Sequence, residues 1–160
     1  VEGGLMRHAA PLRAIEILRD VSVVDGLARA ALSPATSLQI AFDIEFTDAA
    51  IGQQAKTLNM ANGAFVRELC DSRTFCRSAD VDMMRAVRHK MLDALGDLYT
   101  AGAPILGRYT GTRAGHAMTN RLLQALFADP AAWRYVQCDA KVAARLPGVG
   151  VSKADLFAVA

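Results

Sequence analysis

Apolar and polar residues alternate along the first third of the chain in a way that is typical of β-strands. Residues 14–18 and 21–24 are two short apolar-rich stretches, and Asp25-Gly26 directly after them is a strong turn signal. The segment 37–46 alternates more regularly, and its apolar positions are Leu38, Ile40, Phe42, Ile44 and Phe46. This period of two predicts a half-buried strand of an antiparallel sheet.

From residue 62 onward the spacing of apolar residues becomes helical. Asn62 is a predicted N-cap, and the apolar residues that follow it at helical spacing are Phe65, Val66 and Leu69. A second helix is predicted over residues 85–101, before Gly102, and a third over residues 116–128, before Asp129-Pro130. Strands followed by helices predict an α+β fold, a two-layer sandwich with helices on one face of a mainly antiparallel sheet.

The length of 160 residues favours one domain, and 52% hydrophobic residues suffice for a core. We expect residues 1–138 to form this domain. Residues 139–160 give weak signals and contain Pro147-Gly148, so we expect a loosely held C-terminal tail. Because the chain does not begin with Met, we expect it to be a fragment or a processed product.

Charge and cysteine content limit the possible functions. A net charge of +2 and 6% aromatic residues argue against a nucleic-acid partner, so binding through the basic residues among 85–90 is poorly supported. No uncharged apolar run reaches the ~18 residues that a membrane span needs. The three cysteines form no CxxC pair and their number is odd, which favours a reducing cytoplasm over a disulfide framework.

The predicted helix 85–101 has two distinct faces. Its apolar stripe consists of Val87, Met91, Ala94, Leu95 and Leu98. On the opposite face His89 and Asp93 lie one turn apart, so an imidazole and a carboxylate could bind one metal ion. Gly96 opens space on the same face. An ordinary polar face with a weak local His–Asp contact explains the same pattern, and both readings stay open.

His116 begins the third predicted helix, after the run TRAG. The N-terminus of a helix disfavours a positively charged imidazole, so a protonated His116 would need a carboxylate partner. Asp97 is the candidate, because it lies one turn beyond Asp93 on the polar face. The alternative is an N-terminal histidine without a function.

Three further residues have a chemical and an ordinary interpretation. Lys90 and Arg113 could contact anionic groups of a ligand, or be solvated surface cations. Thr74, in the run SRTF, could donate a hydrogen bond to a developing oxyanion, or act as a turn or capping residue.

Taken in order, these motifs resemble those of the zinc-dependent UDP-3-O-acyl-N-acetylglucosamine deacetylases of lipid A biosynthesis. The runs that carry the resemblance are FVRELCDSRTF and VRHKMLDALGDLYTAGAPILGRYTGTRAGHAMTNRLLQALF. The segments LRAIEILRDVSVVDG and SLQIAFDIEFTDAAIG resemble the start of that family's second domain. The resemblance extends to about Asp139 and implies an α+β domain.

The resemblance implies roles for the candidate catalytic residues. His89 and Asp93 match two of three zinc ligands. His116 matches a general acid or electrostatic stabiliser, Asp97 the carboxylate that orients it, and Thr74 the hydroxyl that helps to hold the oxyanion.

The resemblance also implies a substrate site and two missing parts. Lys90 and Arg113 match positions that contact the substrate, including its anionic nucleotide part, and Phe75 lines the site. In the family a preceding domain supplies the third zinc ligand and a glutamate base, and no such Glu-His pair occurs here. A βαβ insertion that forms the acyl-chain passage is also missing, between Met84 and Val87.

Two hypotheses of different classes follow. The first is zinc-dependent hydrolysis of the acetamide of a UDP-linked acylated amino sugar, with this chain supplying part of the active site and little activity alone. The second is a non-catalytic domain that keeps the fold and binds a nucleotide sugar or a partner protein. The partner in either case could be the missing N-terminal domain or a second copy of the chain.

Overall fold

The computed structural model describes residues 13–45, 52–61 and 85–148. The strands in these ranges are β1 (Arg13–Ile17), β2 (Val21–Asp25), β3 (Ala28–Ser33), β4 (Gln39–Glu45), β5 (Gln53–Asn59), β6 (Ile105–Leu106), β7 (Arg108–Thr112) and β8 (Trp133–Gln137). The helices are α1 (Arg85–Leu98), α2 (His116–Ala128) and α3 (Ala140–Ala143), and a 3₁₀ turn, Tyr99–Ala101, follows α1.

The described strands form two sheets. The larger has five strands in the order β2-β3-β7-β4-β5, and the smaller has three in the order β6-β1-β8. In the larger sheet every pair is antiparallel except β4 and β7, which run parallel. In the smaller sheet β1 pairs parallel with β6 and antiparallel with β8. The predicted α+β class and the mainly antiparallel pairing are confirmed.

The two long helices cover the five-stranded sheet and build the main core with it. Helix α1 contacts β4 and β5, α2 contacts β2 and β3, and the helices contact each other. Fully buried side chains from both layers meet in this core, among them Leu32, Ile40, Val87, Met91, Leu122 and Leu126. The predicted apolar stripe of α1 is therefore the face that packs on the sheet. The opposite face, with His89 and Asp93, is turned toward solvent.

Several predicted elements have the expected bounds. Helix α2 begins at His116 and ends at Ala128 as predicted. The predicted helix 85–101 is α1 followed by its 3₁₀ turn, and Gly102 ends it in a left-handed conformation (φ 78°) that favours glycine. The turn at Asp25-Gly26 is also confirmed, because Asp25 pairs with Ala28 across a hairpin.

The predicted strand 37–46 is β4, which lies inside the sheet. Leu38, Ile40, Phe42 and Ile44 are buried as expected, and Phe46 lies outside the described residues. The neighbours of β4 differ from the prediction, because only β5 is antiparallel to it and β7 is parallel.

The predicted order of strands first and helices later is wrong. Strands β6 and β7 lie between the two long helices, and β8 follows α2. Strand β7 has the sequence RYTGT, whose only large apolar side chain is Tyr109, so no period-two pattern marks it. Its place in the centre of the sheet comes from pairing with β3 and β4, which are distant in sequence.

Two other predictions fall wholly or partly outside the described residues. The helix expected from Asn62, with Thr74 and Phe75 after it, lies entirely outside. Of the expected tail 139–160, residues up to 148 are described, and there Val142 and Leu146 of the α3 region pack against Ala14 and Leu106.

Candidate functional site

The predicted polar residues meet where α1 passes the first turn of α2. His116 is the first residue of α2, and its Nδ1 lies 2.9 Å and 3.0 Å from the two carboxylate oxygens of Asp97 on α1. Gly115 is the N-cap and has an extended backbone without a side-chain cap. The first turn of α2 thus presents its histidine directly to the carboxylate of the neighbouring helix.

The surroundings of His116 favour its protonated form. The hydrogen bond to Asp97 is the main cause that raises the pKa of His116 above the usual 6.5, and the negative charges of Asp97 and Asp93 add to it. Slight burial and the positive charge of Lys90 act in the opposite direction. The side chain of His116 is 65% exposed, so the ring is accessible to a ligand while Asp97 holds one of its nitrogens.

His89 and Asp93 lie one turn apart on α1 with the spacing that two ligands of one metal ion need. The His89 Nε2 is 3.7 Å from the Asp93 Oδ1. Ligand atoms at the usual bond lengths around a tetrahedral zinc are roughly 3.4 Å apart, so a small side-chain rotation would suffice. Within residues 13–45, 52–61 and 85–148, no group of three histidine, cysteine or acidic side chains is close enough to hold a metal.

One shallow depression brings Asp93 together with the His116–Asp97 pair. It is lined by Phe42, Lys90, Asp93, Ala94, Asp97, Ala114, Gly115, His116 and Thr119. The Nζ of Lys90 lies 3.9 Å from the second oxygen of Asp93. Four of the predicted site residues therefore line this depression, namely Lys90, Asp93, Asp97 and His116, and His89 lies beside it next to Asp93.

A second, wider pocket adjoins the first through Lys90. It has a volume of about 270 Å³ and is lined by Ile44, Glu45, Lys90, Arg113, Ala114 and Gly115. The guanidinium of Arg113 pairs with the carboxylate of Glu45. The backbone N–H of Arg113 donates to the backbone carbonyl of Asp43 at 3.0 Å. The backbone of Arg113 has φ 48°, which is uncommon for a residue with a side chain.

Some site features were not found from the sequence. Glu45 lies on the polar side of a regular strand, and nothing in that pattern marks it as a partner of Arg113. Tyr109 and Thr119 form a buried hydrogen bond of 3.0 Å beneath the first depression, and neither was singled out. Thr74 and Phe75 lie outside the described residues, so their roles stay predictions.

Two glycines near the site have opposite surroundings. A Cβ on Gly111 of β7 would lie 2.8 Å from the Phe42 ring and 3.0 Å from the Tyr109 ring, so a side chain there would displace both. A Cβ on Gly96 of α1 would meet nothing within 4 Å. The open space that the sequence predicted at Gly96 is confirmed.

No helix in the described part of the chain is long and apolar enough to cross a membrane.

Comparison with known proteins points to one family. The family model described as UDP-3-O-acyl N-acetylglycosamine deacetylase matches residues 1–87 and 85–128. The two matches meet where the resemblance implied a missing insertion.

Individual relatives carry the name UDP-3-O-acyl-N-acetylglucosamine deacetylase. The protein from Phenylobacterium zucineum is 42% identical, over 82% of this chain and 56% of the relative. The protein from Xanthomonas axonopodis pv. citri is 34% identical, over 83% of this chain and 55% of the relative. The protein from Shewanella sp. (strain ANA-3) is 32% identical, over 92% of this chain and 61% of the relative. The chain therefore spans little more than half the length of these relatives.

Proposed function

Because this chain belongs to the UDP-3-O-acyl N-acetylglycosamine deacetylase family, we propose that it supplies part of the active site of a zinc-dependent deacetylase. The substrate is UDP-3-O-acyl-N-acetylglucosamine, the products are acetate and the free amino sugar nucleotide, and the step belongs to cytoplasmic lipid A biosynthesis. The observation that carries the proposal is the hydrogen bond between His116 and Asp97, beside the His89–Asp93 pair.

His89 and Asp93 would hold the zinc ion. An imidazole and a carboxylate are ordinary zinc ligands, and their 3.7 Å separation suits a shared ion. The third ligand would come from outside the described residues. When bound, zinc lowers the pKa of a water molecule and polarises a carbonyl.

His116 would supply the proton that amide hydrolysis needs. The reaction breaks the bond between the acetyl carbon and the nitrogen, and the leaving nitrogen must gain a proton. Since Nδ1 of His116 is bound to Asp97, its Nε2 is the nitrogen that faces the reaction. The hydrogen bond to Asp97 raises the pKa of His116 and so favours its protonated form, which can stabilise the oxyanion and then protonate the amine.

The remaining predicted residues would bind and orient the substrate. Lys90 and Arg113 share a pocket of about 270 Å³, and we assign it to the anionic nucleotide part. Lys90 also lines the depression beside Asp93, so this pocket adjoins the reaction centre. Thr74 would donate to the oxyanion and Phe75 would line the site, as the family resemblance implies.

Zinc binding by variants tests this proposal. Equilibrium dialysis of the chain should show weak zinc binding that His89→Ala and Asp93→Ala abolish. The matched control is His116→Ala, which removes an imidazole nearby but leaves both ligands. Equal zinc binding by wild type and His89→Ala would overturn the metal assignment. Tight stoichiometric binding would contradict the view that a third ligand is needed from elsewhere.

A second candidate function is nucleotide-sugar binding without catalysis. It is favoured by the pocket that Lys90 and Arg113 line together, whereas the described residues bring only two candidate metal ligands together. Both candidates predict UDP binding that Lys90→Ala weakens in calorimetry. Zinc dialysis distinguishes them, because only the deacetylase predicts zinc binding that depends on His89 and Asp93.

A further inference from the structure

Two hydroxyl groups that the proposed chemistry does not use lie beneath His116 and Asp97. The Tyr109 hydroxyl and the Thr119 Oγ1 are 3.0 Å apart and share a hydrogen bond. Tyr109 is 0% exposed and Thr119 is 1% exposed. Burying a hydroxyl without a hydrogen-bond partner costs free energy, so each of these two hydroxyls stabilises the buried position of the other.

The pair connects the first turn of α2 to the sheet. Thr119 follows His116 by three residues, which places it about one turn further along the same side of the helix. Tyr109 belongs to the central strand β7, and its ring packs against Phe42 with 5.9 Å between ring centroids. The absence of a side chain on Gly111 leaves room for both rings.

This connection bears directly on the contact between His116 and Asp97. Thr119 lines the same depression as His116 and Asp97. Burial and, as a smaller cause, the negative charge of Asp97 raise the pKa of Tyr109, while the hydrogen bond with Thr119 lowers it. The N-cap of α2 has no side-chain hydrogen bond, and the Tyr109–Thr119 hydrogen bond is a buried contact of this helix end one turn further along.

We propose that Tyr109 and Thr119 are positioning residues that hold the first turn of α2 where Nδ1 of His116 meets Asp97. They thereby fix the ring with its proton on Nδ1 and its Nε2 toward the ligand. The catalytic meaning of this arrangement rests on the proposed function. The arrangement itself exists without zinc or substrate and can be measured without them.

The two partners are not equivalent when one is removed. In Thr119→Val the Tyr109 hydroxyl stays buried and loses its partner. In Tyr109→Phe the Thr119 hydroxyl can instead donate to the carbonyl of Gly115, the residue whose carbonyl already accepts from the Thr119 N–H. Thr119→Val should therefore lower the folding equilibrium constant roughly tenfold, and Tyr109→Phe less. The double variant should recover part of the loss, because no hydroxyl is then left unpaired.

The deciding measurement is the ¹⁵N NMR spectrum of the His116 ring in the zinc-free chain, at a pH where the ring is neutral. We expect the fraction with its proton on Nδ1 to fall about twofold or more in Tyr109→Phe and in the double variant, and to be kept in Thr119→Ser. A merely structural role predicts reduced stability with an unchanged fraction. An unchanged fraction in the folded Tyr109→Phe variant would overturn the proposal. Failure of the proposed function would appear separately, in the zinc dialysis, and would leave this result unaffected.

Discussion

Nδ1 of His116 donates to the carboxylate of Asp97 across the contact between two helices, at 2.9 Å and 3.0 Å from its two oxygens. The two residues are 19 positions apart in sequence, and the segment between them contains two strands. Helix α1 sets the position of the carboxylate, and the end of β7 sets the position of the imidazole. The geometry of the site is therefore a consequence of how both helices rest on the five-stranded sheet.

Asp97→Asn should lower the pKa of His116 toward 6.5, because the hydrogen bond to Asp97 is the largest cause of its rise. NMR titration of the histidine ring measures this directly. Glu16→Gln is the matched control, since Glu16 pairs with Arg134 in the smaller sheet. An unchanged pKa in Asp97→Asn would show that the contact does not determine the protonation of His116.

The same contact should make stability depend on pH. A histidine whose pKa is raised by folding stabilises the folded state fully below its unfolded pKa, about 6.5, and this stabilisation is lost as pH rises through the folded value. We expect the difference in free energy of unfolding between wild type and His116→Ala to be larger near pH 5.5 than near pH 9. The change should be small, about 0.5 kcal/mol, because the His116 ring is largely exposed and solvent screens its charge. Urea unfolding at both pH values measures it, and a larger difference at the higher pH would contradict the assignment.

Alanine at the two glycines should have opposite effects on stability. Gly111→Ala places a Cβ 2.8 Å from the Phe42 ring and should destabilise the protein by about 1–3 kcal/mol. Gly96→Ala meets nothing within 4 Å and should stabilise α1 by about 0.5–1 kcal/mol, because alanine has the higher helix propensity. Thermal or urea unfolding of the two variants gives the comparison. Equal effects would mean that the Phe42 and Tyr109 rings do not pack against Gly111 as described.

Lys90→Ala should weaken UDP binding roughly three- to tenfold, since it removes one of two cations from the pocket. Glu45→Gln should strengthen binding, because Glu45 no longer competes with the nucleotide for Arg113. Calorimetry at low and high salt measures both effects, with Lys141→Ala on α3 as the control cation. Weaker binding in Glu45→Gln would instead mean that Glu45 holds Arg113 in its binding position.

The sequence predicted best what depends on local spacing. The helical period alone placed His89, Asp93 and Asp97 on the side of α1 away from the core, since residues three and four apart share a face. Strand β4 was likewise clear from its alternation.

The features that depend on long-range pairing were not predictable in the same way. Strand β7 has too few apolar residues to be recognised, although it is central to the sheet. The contact between Arg113 and Glu45 follows from the parallel pairing of β7 with β4, which no local pattern encodes. The Tyr109–Thr119 hydrogen bond likewise depends on how α2 packs on the five-stranded sheet.

The central claim is that His89 and Asp93 bind a metal ion within reach of His116. ¹H–¹⁵N spectra of the histidine rings during a zinc titration test it most directly. We expect the ¹⁵N chemical shifts of the His89 ring to change as those of a metal ligand, and the shifts of the His116 ring to change as those of a neighbour. Nδ1 of His116 should stay protonated and hydrogen-bonded to Asp97. Both responses should vanish in Asp93→Ala. A His116 ring that shifts equally in wild type and Asp93→Ala, or a His89 ring that does not respond to zinc, would contradict the account.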